Sequence, residues 1–194
     1  MTPSTTISPP ELLTYKAYLE EGEINKRYDI IDGERREMAN PTEDHQDITF
    51  RIAMLLHAYG ERTKHGKMTI SPQDVLIRRN PLRTRQPDVL FISLERRARN
   101  RPSNDPAPLS PSPELVVEVV STHETEQILT AKIADYCLVE VEEVWIVRPA
   151  LGTVEVQRLT SGEAVSVATH GQGEMIKSLT FPELTVFVNA IFEG

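Results

Sequence analysis

The chain has a single cysteine in 194 residues, Cys137, so neither an internal disulfide nor a cysteine-built zinc site is open to it. Its apolar stretches are short. No window approaches the ~18 consecutive apolar residues of a membrane span, and the longest, 115–120, is strand-sized and interrupted by a charge. The first twenty residues lack the basic-then-apolar layout of a signal peptide. Internal repeats and low-complexity tracts are missing too. These absences point to a cytoplasmic protein with no membrane partner. Positive charge is scarce overall: 21 lysines and arginines stand against 29 aspartates and glutamates, a net charge of −8. Such a balance disfavours a protein that binds polyanions with its whole surface.

What is present suits one folded domain. At 39% hydrophobic the chain can bury a sizeable core, and its length fits a single domain over 1–194, with 1–10 a flexible N-terminus. The charge is uneven. Between Arg78 and Arg101 eight arginines face only Asp88 and Glu95, so that segment is +6 and the remainder −14. Arg85, Arg96, Arg97 and Arg99 in this segment are candidate contacts to a phosphate backbone, with solvated loop and helix charges as the plainer alternative.

Ser8-Pro9-Pro10-Glu11 reads as a helix start, with Leu12, Tyr15 and Leu19 following at helical spacing and Gly22 at its end. Asp32-Gly33 lies between two short runs and signals a hairpin. The spacing of Ile48, Ile52, Leu55, Leu56 and Tyr59 predicts the longest helix over 41–63. Strands are expected near 68–71, 74–78 and 87–92, with an arginine-rich turn at Asn80-Pro81 and a short basic helix over 94–100. Five prolines make 101–113 a loop. A central strand over 115–120 precedes a helix over 124–139, strands over 144–147, 153–158 and 164–168, and a last short helix over 182–191. This order predicts an α/β or α+β layer fold, a mixed central sheet flanked by helices.

Glu118 interrupts Leu115-Val116-Val117 and Val119-Val120, where an ionised carboxylate is costly unless paired, hydrogen-bonded or metal-bound. Alternation puts it on one face with Val116 and Val120, opposite Val117 and Val119. Asp88 similarly opens Val89-Leu90-Phe91-Ile92. A buried ion pair with an arginine is the plainer reading of either acid. Ile128, Lys132 and Tyr136 share one helix face; if that helix packs on the sheet, Lys132 comes beside the acids. Two carboxylates and a lysine suit a divalent-metal site with a cation to orient water or steady developing charge. The alternative is a surface lysine lying along Tyr136.

Several runs together resemble one family. They are Tyr28-Asp29-Ile30-Ile31-Asp32-Gly33-Glu34, His45-Gln46, Gln86-Pro87-Asp88-Val89-Leu90-Phe91-Ile92-Ser93 and Pro113-Glu114-Leu115-Val116-Val117-Glu118-Val119-Val120-Ser121, followed by Lys132, Tyr136 and Glu143-Val144-Trp145-Ile146-Val147. In order and spacing they resemble the Uma-type restriction endonucleases of the PD-(D/E)xK nuclease superfamily, over 12–159 and again over 179–187. The resemblance implies a restriction-endonuclease-like core and Mg²⁺-dependent (or Mn²⁺-dependent) hydrolysis of DNA phosphodiester bonds, leaving a 5′-phosphate. It makes Asp88 and Glu118 metal ligands, with the Val119 carbonyl as a further one. The superfamily lysine two residues after the glutamate is Val120 here, and the resemblance moves that role to Lys132. Glu34 matches a family acid near the same pocket. His45 and Gln46 match a family pair, His45 contacting substrate or holding Glu34. A homodimer is implied as well.

Three departures stand out: Thr122-His123-Glu124 where the family reads Pro-Ser-Thr, Ile128 where it tends to carry an aspartate, and Arg148-Pro149 where it ends the tryptophan strand in Asp-Pro. Two other functions therefore stay open beside the nuclease: a non-catalytic nucleic-acid-binding domain keeping the fold, and a structural protein whose acids pair with arginines.

Overall fold

A strand with every side chain buried needs neighbours on both edges and cover on both faces, and Leu115–Val119 has all of them. The computed structural model describes residues 12–22, 24, 26–100, 109–110 and 112–193. In chain order the strands are β1 (Tyr28–Ile31), β2 (Glu34–Glu37), β3 (Gly66–Ile70), β4 (Asp74–Arg79), β5 (Leu82–Arg85), β6 (Val89–Ser93), β7 (Leu109–Ser110), β8 (Leu115–Val119), β9 (Glu143–Arg148), β10 (Thr153–Thr160), β11 (Glu163–His170), β12 (Met175–Lys177) and β13 (Thr185–Phe187). The helices are α1 (Tyr15–Glu21), α2 (Glu43–Thr63), α3 (Leu94–Asn100), α4 (Glu126–Tyr136) and α5 (Asn189–Phe192).

The central sheet has six strands in the order β11-β10-β9-β8-β6-β3. Its β8–β9 pair is parallel and its other pairs are antiparallel. Alternation along β8 divides its side chains as the sequence predicts. Leu115, Val117 and Val119 pack with Ile48, Ile52 and Leu56 of α2, while Val116 packs with Leu129, Ile133 and Tyr136 of α4. The two helices thus cover opposite faces, and Glu118, in phase with Val116, points toward α4. A second sheet, β2-β1-β5-β4-β7, lies on the α4 side, where Val75 meets Leu90 and Ile92. The expected mixed sheet flanked by helices is therefore present, with a second layer of strands beside it.

Local chemistry explains the boundaries. At the β1–β2 turn Asp32 and Gly33 both take positive φ, 54° and 86°, as a tight hairpin requires. Helix α2 begins at the Thr42 cap, whose hydroxyl accepts the His45 N–H, and Glu43 and Asp44 complement its N-terminal dipole. Thr125 caps α4 in the same way through Ile128.

Three expectations are corrected. Ser8 to Glu11 lie outside the described residues, and the first described helix starts instead at Tyr15, capped by the Thr14 hydroxyl. The region 182–191 is mainly β13 and its flanks: Leu184, Val186 and Val188 are buried while Thr185 and Phe187 are exposed, a period of two, so only Asn189–Phe192 turns helical. The turn at Asn80-Pro81 continues into an unanticipated strand, β5, paired with β4 and β1. Most of 101–113, including Arg101, lies outside the described residues; Leu109–Ser110 within it pairs with β4.

Helix α3 follows Ser93, at the end of β6 away from Asp88, about 15 Å along the strand. Arg96 there is a structural residue. Its guanidinium is buried, 3.2 Å from Glu114 and paired with Glu142, and it donates to the carbonyls of Glu140 (2.6 Å) and Pro113 (3.4 Å). Arg97 on the same helix is only half-buried. Removing one partner of a buried pair typically costs about 3–5 kcal/mol. Arg96→Ala should therefore lower unfolding free energy by about 3 kcal/mol in urea titrations, whereas Arg97→Ala should change it by no more than about 0.5 kcal/mol.

Candidate active site

The antiparallel pairing Val89↔Val117 brings Asp88, just before β6, across from Glu118 on β8. Asp88 is buried and bound on every side. One carboxylate oxygen lies 2.5 Å from the Arg27 guanidinium; the other accepts the Val119 N–H at 2.8 Å and lies 3.4 Å from His45 Nε2. Burial pushes this carboxyl up, but the hydrogen bond from His45 and the charges of His45, Arg27 and Lys132 outweigh it and hold it below the usual carboxylate range.

Glu118 is treated differently. Lys132 Nζ donates to one oxygen at 2.9 Å and the Tyr136 hydroxyl to the other at 2.5 Å. Burial raises this carboxyl to about 7, against the pull of Lys132 and with the repulsion of Asp88 and Glu124 added. Lys132 sits between two acids, 2.9 Å from Glu118 and 2.8 Å from Glu124. Burial works against its charge, yet those carboxylates push its pKa upward, so it remains an ammonium. The predicted i, i+4 relation of Lys132 and Tyr136 is what lets both reach one carboxylate.

A buried ion network fixes α4 in place. Arg85 bridges Asp29 of β1 (2.6 Å) and Asp135 of α4 (2.7 Å), and Arg83 reaches Asp135 at 2.8 Å. Asp29 also accepts the Gln86 N–H. Arg85 is therefore a strut between β1, β5 and α4, which corrects its assignment as a phosphate contact.

Asp88 and Lys132 open on a cleft of about 280 Å³, bordered also by Arg27, Glu37, His45, His123 and Glu124, while the buried Glu118 is not part of its lining. Val119 lines it beside Asp88, and Ile128 is exposed at its edge. Glu34 is not brought there. It is exposed near the hairpin turn, 3.6 Å from Arg36, and the acid that β2 presents to the cleft is Glu37. His45 holds Asp88 rather than Glu34, and Gln46 is exposed one residue further along α2. Arg96, Arg97 and Arg99 lie on α3, outside the cleft lining. Among the described residues no group of three or more His, Cys, Asp or Glu side chains is arranged to hold a metal ion.

Three participants escape a reading of the sequence. Arg27 meets a partner 61 positions away and carries no local signal. Asp29 looks like part of a strand motif until its partners are known. Glu124 was legible in principle, because the ladder of Tyr136, Lys132 and Ile128 taken one step further back reaches it. It supplies the acid beside Lys132 that position 128 lacks.

The fold is nuclease-like. The chain is similar over 93% of its length to 97% of a crystal structure described as a putative nuclease belonging to DUF820 from Anabaena variabilis ATCC 29413, with a TM-score of 0.74 and 16% identity. Residues 13–189 match the model of Uma2, described as "Putative restriction endonuclease", and the chain belongs to that family. No curated protein matches it.

The opposite titrations of the two acids predict a pH signature. Between pH 4.5 and about 7 folded Glu118 keeps a proton that the unfolded chain has released, so its contribution to stability falls as pH rises through that window. Asp88 acts in the other direction and lower: its stabilisation is present above pH 3.8 and is lost as pH falls below it. In urea unfolding followed across pH, Glu118→Gln should remove a decline on the order of 2 kcal/mol between pH 4.5 and about 7. An unchanged slope would mean that Glu118 titrates normally.

Proposed function

We propose that the chain is a divalent-metal-dependent endonuclease that hydrolyses DNA phosphodiester bonds at Asp88, Glu118 and Lys132. The observation that carries this reading is two buried carboxylates opposite one another at the ends of β6 and β8, with a buried ammonium 2.9 Å from Glu118 that, with Asp88, lines one cleft. The donor chemistry fits Mg²⁺ or Mn²⁺, hard cations that take oxygen ligands and are commonly held by one or two carboxylates plus water and substrate phosphate. Asp88, Glu118 and the Val119 carbonyl would hold the ion. The Asp88 oxygen facing Arg27 and both Glu118 oxygens each have one partner and keep a second lone pair, whereas the other Asp88 oxygen is taken up by the Val119 N–H and His45. When bound, the metal would polarise a phosphoryl oxygen and lower the pKa of water.

The remaining roles belong to the chain. Arg27, His45 and the Val119 N–H orient Asp88 and keep it ionised. Lys132, held charged by Glu118 and Glu124, faces the negative charge that builds on the phosphate oxygens. A homodimer belongs to the same proposal, with one active site in each copy. The edge strand β11, with Val165 and Val167 about half exposed, is the surface offered for it. A cytoplasmic setting belongs to the same proposal.

One observation favours the non-catalytic alternative: all four oxygens of Asp88 and Glu118 already have partners within the protein. Cleavage of plasmid and oligonucleotide DNA separates the two. The nuclease reading expects Mg²⁺- or Mn²⁺-dependent cleavage abolished by chelation and by Asp88→Asn, with 5′-phosphate ends. It also expects Lys132→Met to lower turnover by about 100-fold or more, with circular dichroism checking the fold. Cleavage that survives chelation or Lys132→Met, or no cleavage of any DNA with Mn²⁺, would overturn it.

A further inference from the structure

Asp88 borders a second depression as well. On its other side lies a groove of about 360 Å³, and Arg27, Pro41 and His45 are walls of both. The outer wall of the groove is apolar and open to solvent. Phe50 is 64% exposed, and Met54 and Ile70 are each about half exposed. Gln46, Phe50 and Met54 recur at i, i+4 and i+8, so they form one row along α2 with steps of about 6 Å, beginning beside His45. Core packing does not require this row, because Ile48, Ile52 and Leu56 already form the inner face of α2. Facing it is β3, the edge strand of the central sheet. Ser71 Oγ and Arg27 Nε, which border the groove, are buried polar atoms without a hydrogen-bond partner among the described residues.

Charge adds an independent constraint. The body carries a net −8, and Arg85 and Arg96 are spent on internal acids. Phosphate contacts alone therefore supply little of the affinity for a nucleic acid, and uncharged contacts must contribute. An exposed aromatic ring about 7 Å along α2 from His45, which holds Asp88, is such a contact, since any base can stack on it.

From this we infer that the groove is a nucleobase subsite: an unpaired base next to the scissile phosphate stacks on Phe50, with Met54 and Ile70 around it. The substrate class is then single-stranded or locally unpaired nucleic acid, because a base held in a duplex stack cannot enter. This rests on the nuclease reading above.

The test measures binding in the Glu118→Gln background, so that turnover does not intrude. The probes are a single-stranded DNA of about a dozen nucleotides carrying one 2-aminopurine, the matching full duplex, and a duplex with one bulged base. Phe50 is exposed, so substituting it leaves the fold intact. The expected result is tighter binding of the single-stranded and bulged forms than of the duplex, with 2-aminopurine fluorescence quenched on binding. Phe50→Ala should raise the single-strand Kd at least about fivefold and abolish the quench, Phe50→Trp should restore both, and duplex binding should hardly change. If Phe50→Ala leaves single-strand binding intact while Arg27→Ala weakens every form, the subsite falls and the nuclease reading stands. If the wild-type chain neither binds nor cleaves any form, both fall. If sedimentation shows a dimer that Phe50→Ala splits, a second copy covers the groove and the base subsite is overturned.

Discussion

Burying the Glu118 carboxylate near the C-terminal end of β8 sets terms that the surrounding structure must meet. A charge taken out of water costs several kcal/mol unless its oxygens find excellent partners, and here both partners come from one helix. Lys132 and Tyr136 reach Glu118 only if α4 lies across the end of β8 at a fixed rotation. That rotation is secured by Asp135, one residue before Tyr136, which Arg83 and Arg85 tie to the second sheet. Asp29 completes the strut through Arg85 and adds to the negative field that keeps Lys132 charged. The second sheet thus serves as the support that makes an acid in the central sheet tolerable.

The site sets two carboxyls apart in character. Asp88 is surrounded by donors that favour its ionised form, whereas Glu118 is fully desolvated and shares its cation with Glu124. Pairs of acids whose environments push their titrations in opposite directions recur where chemistry needs one group permanently charged and the other poised near neutrality. The cost is borne by packing: Trp145 of β9 and the valines of β8 enclose the sheet beneath the site with almost no exposed area.

How much of this was legible follows from the range of each signal. Glu118 stood out because a charge inside an apolar strand violates a local rule, and alternation alone gave its face. Lys132 and Tyr136 could be placed on that face because helical spacing is local too. Asp88 was marked by the apolar run it opens, the resemblance gave it a role, and the β6–β8 register brings it opposite. By contrast, whether an arginine is spent inside or available outside depends on partners tens of residues away. Arg85 and Arg96 looked like surface charges for that reason, and Arg27 looked like nothing. Glu34 and Glu37 differ by three positions on one short strand, yet only Glu37, at the end that leads through 38–42 into α2, lies at the cleft. The strands β12 and β13 were hidden because a three-residue alternation is too short to outweigh a helix-like composition.

The basic segment is also informative in its failure to act as one surface. Its described arginines are distributed over a buried strut, a helix at the far end of β6 and a hairpin where Arg78 meets Asp32, so their clustering in sequence did not become one patch in space. On the function proposed above, Asp88 and Glu118 form a single metal-binding centre with Lys132 beside it. Anomalous diffraction from crystals soaked in Mn²⁺ locates such a centre without any assumption about substrate. One peak between the two carboxylates and the Val119 carbonyl is expected, lost in Asp88→Asn. A peak elsewhere, or none at a concentration that supports cleavage, would contradict it.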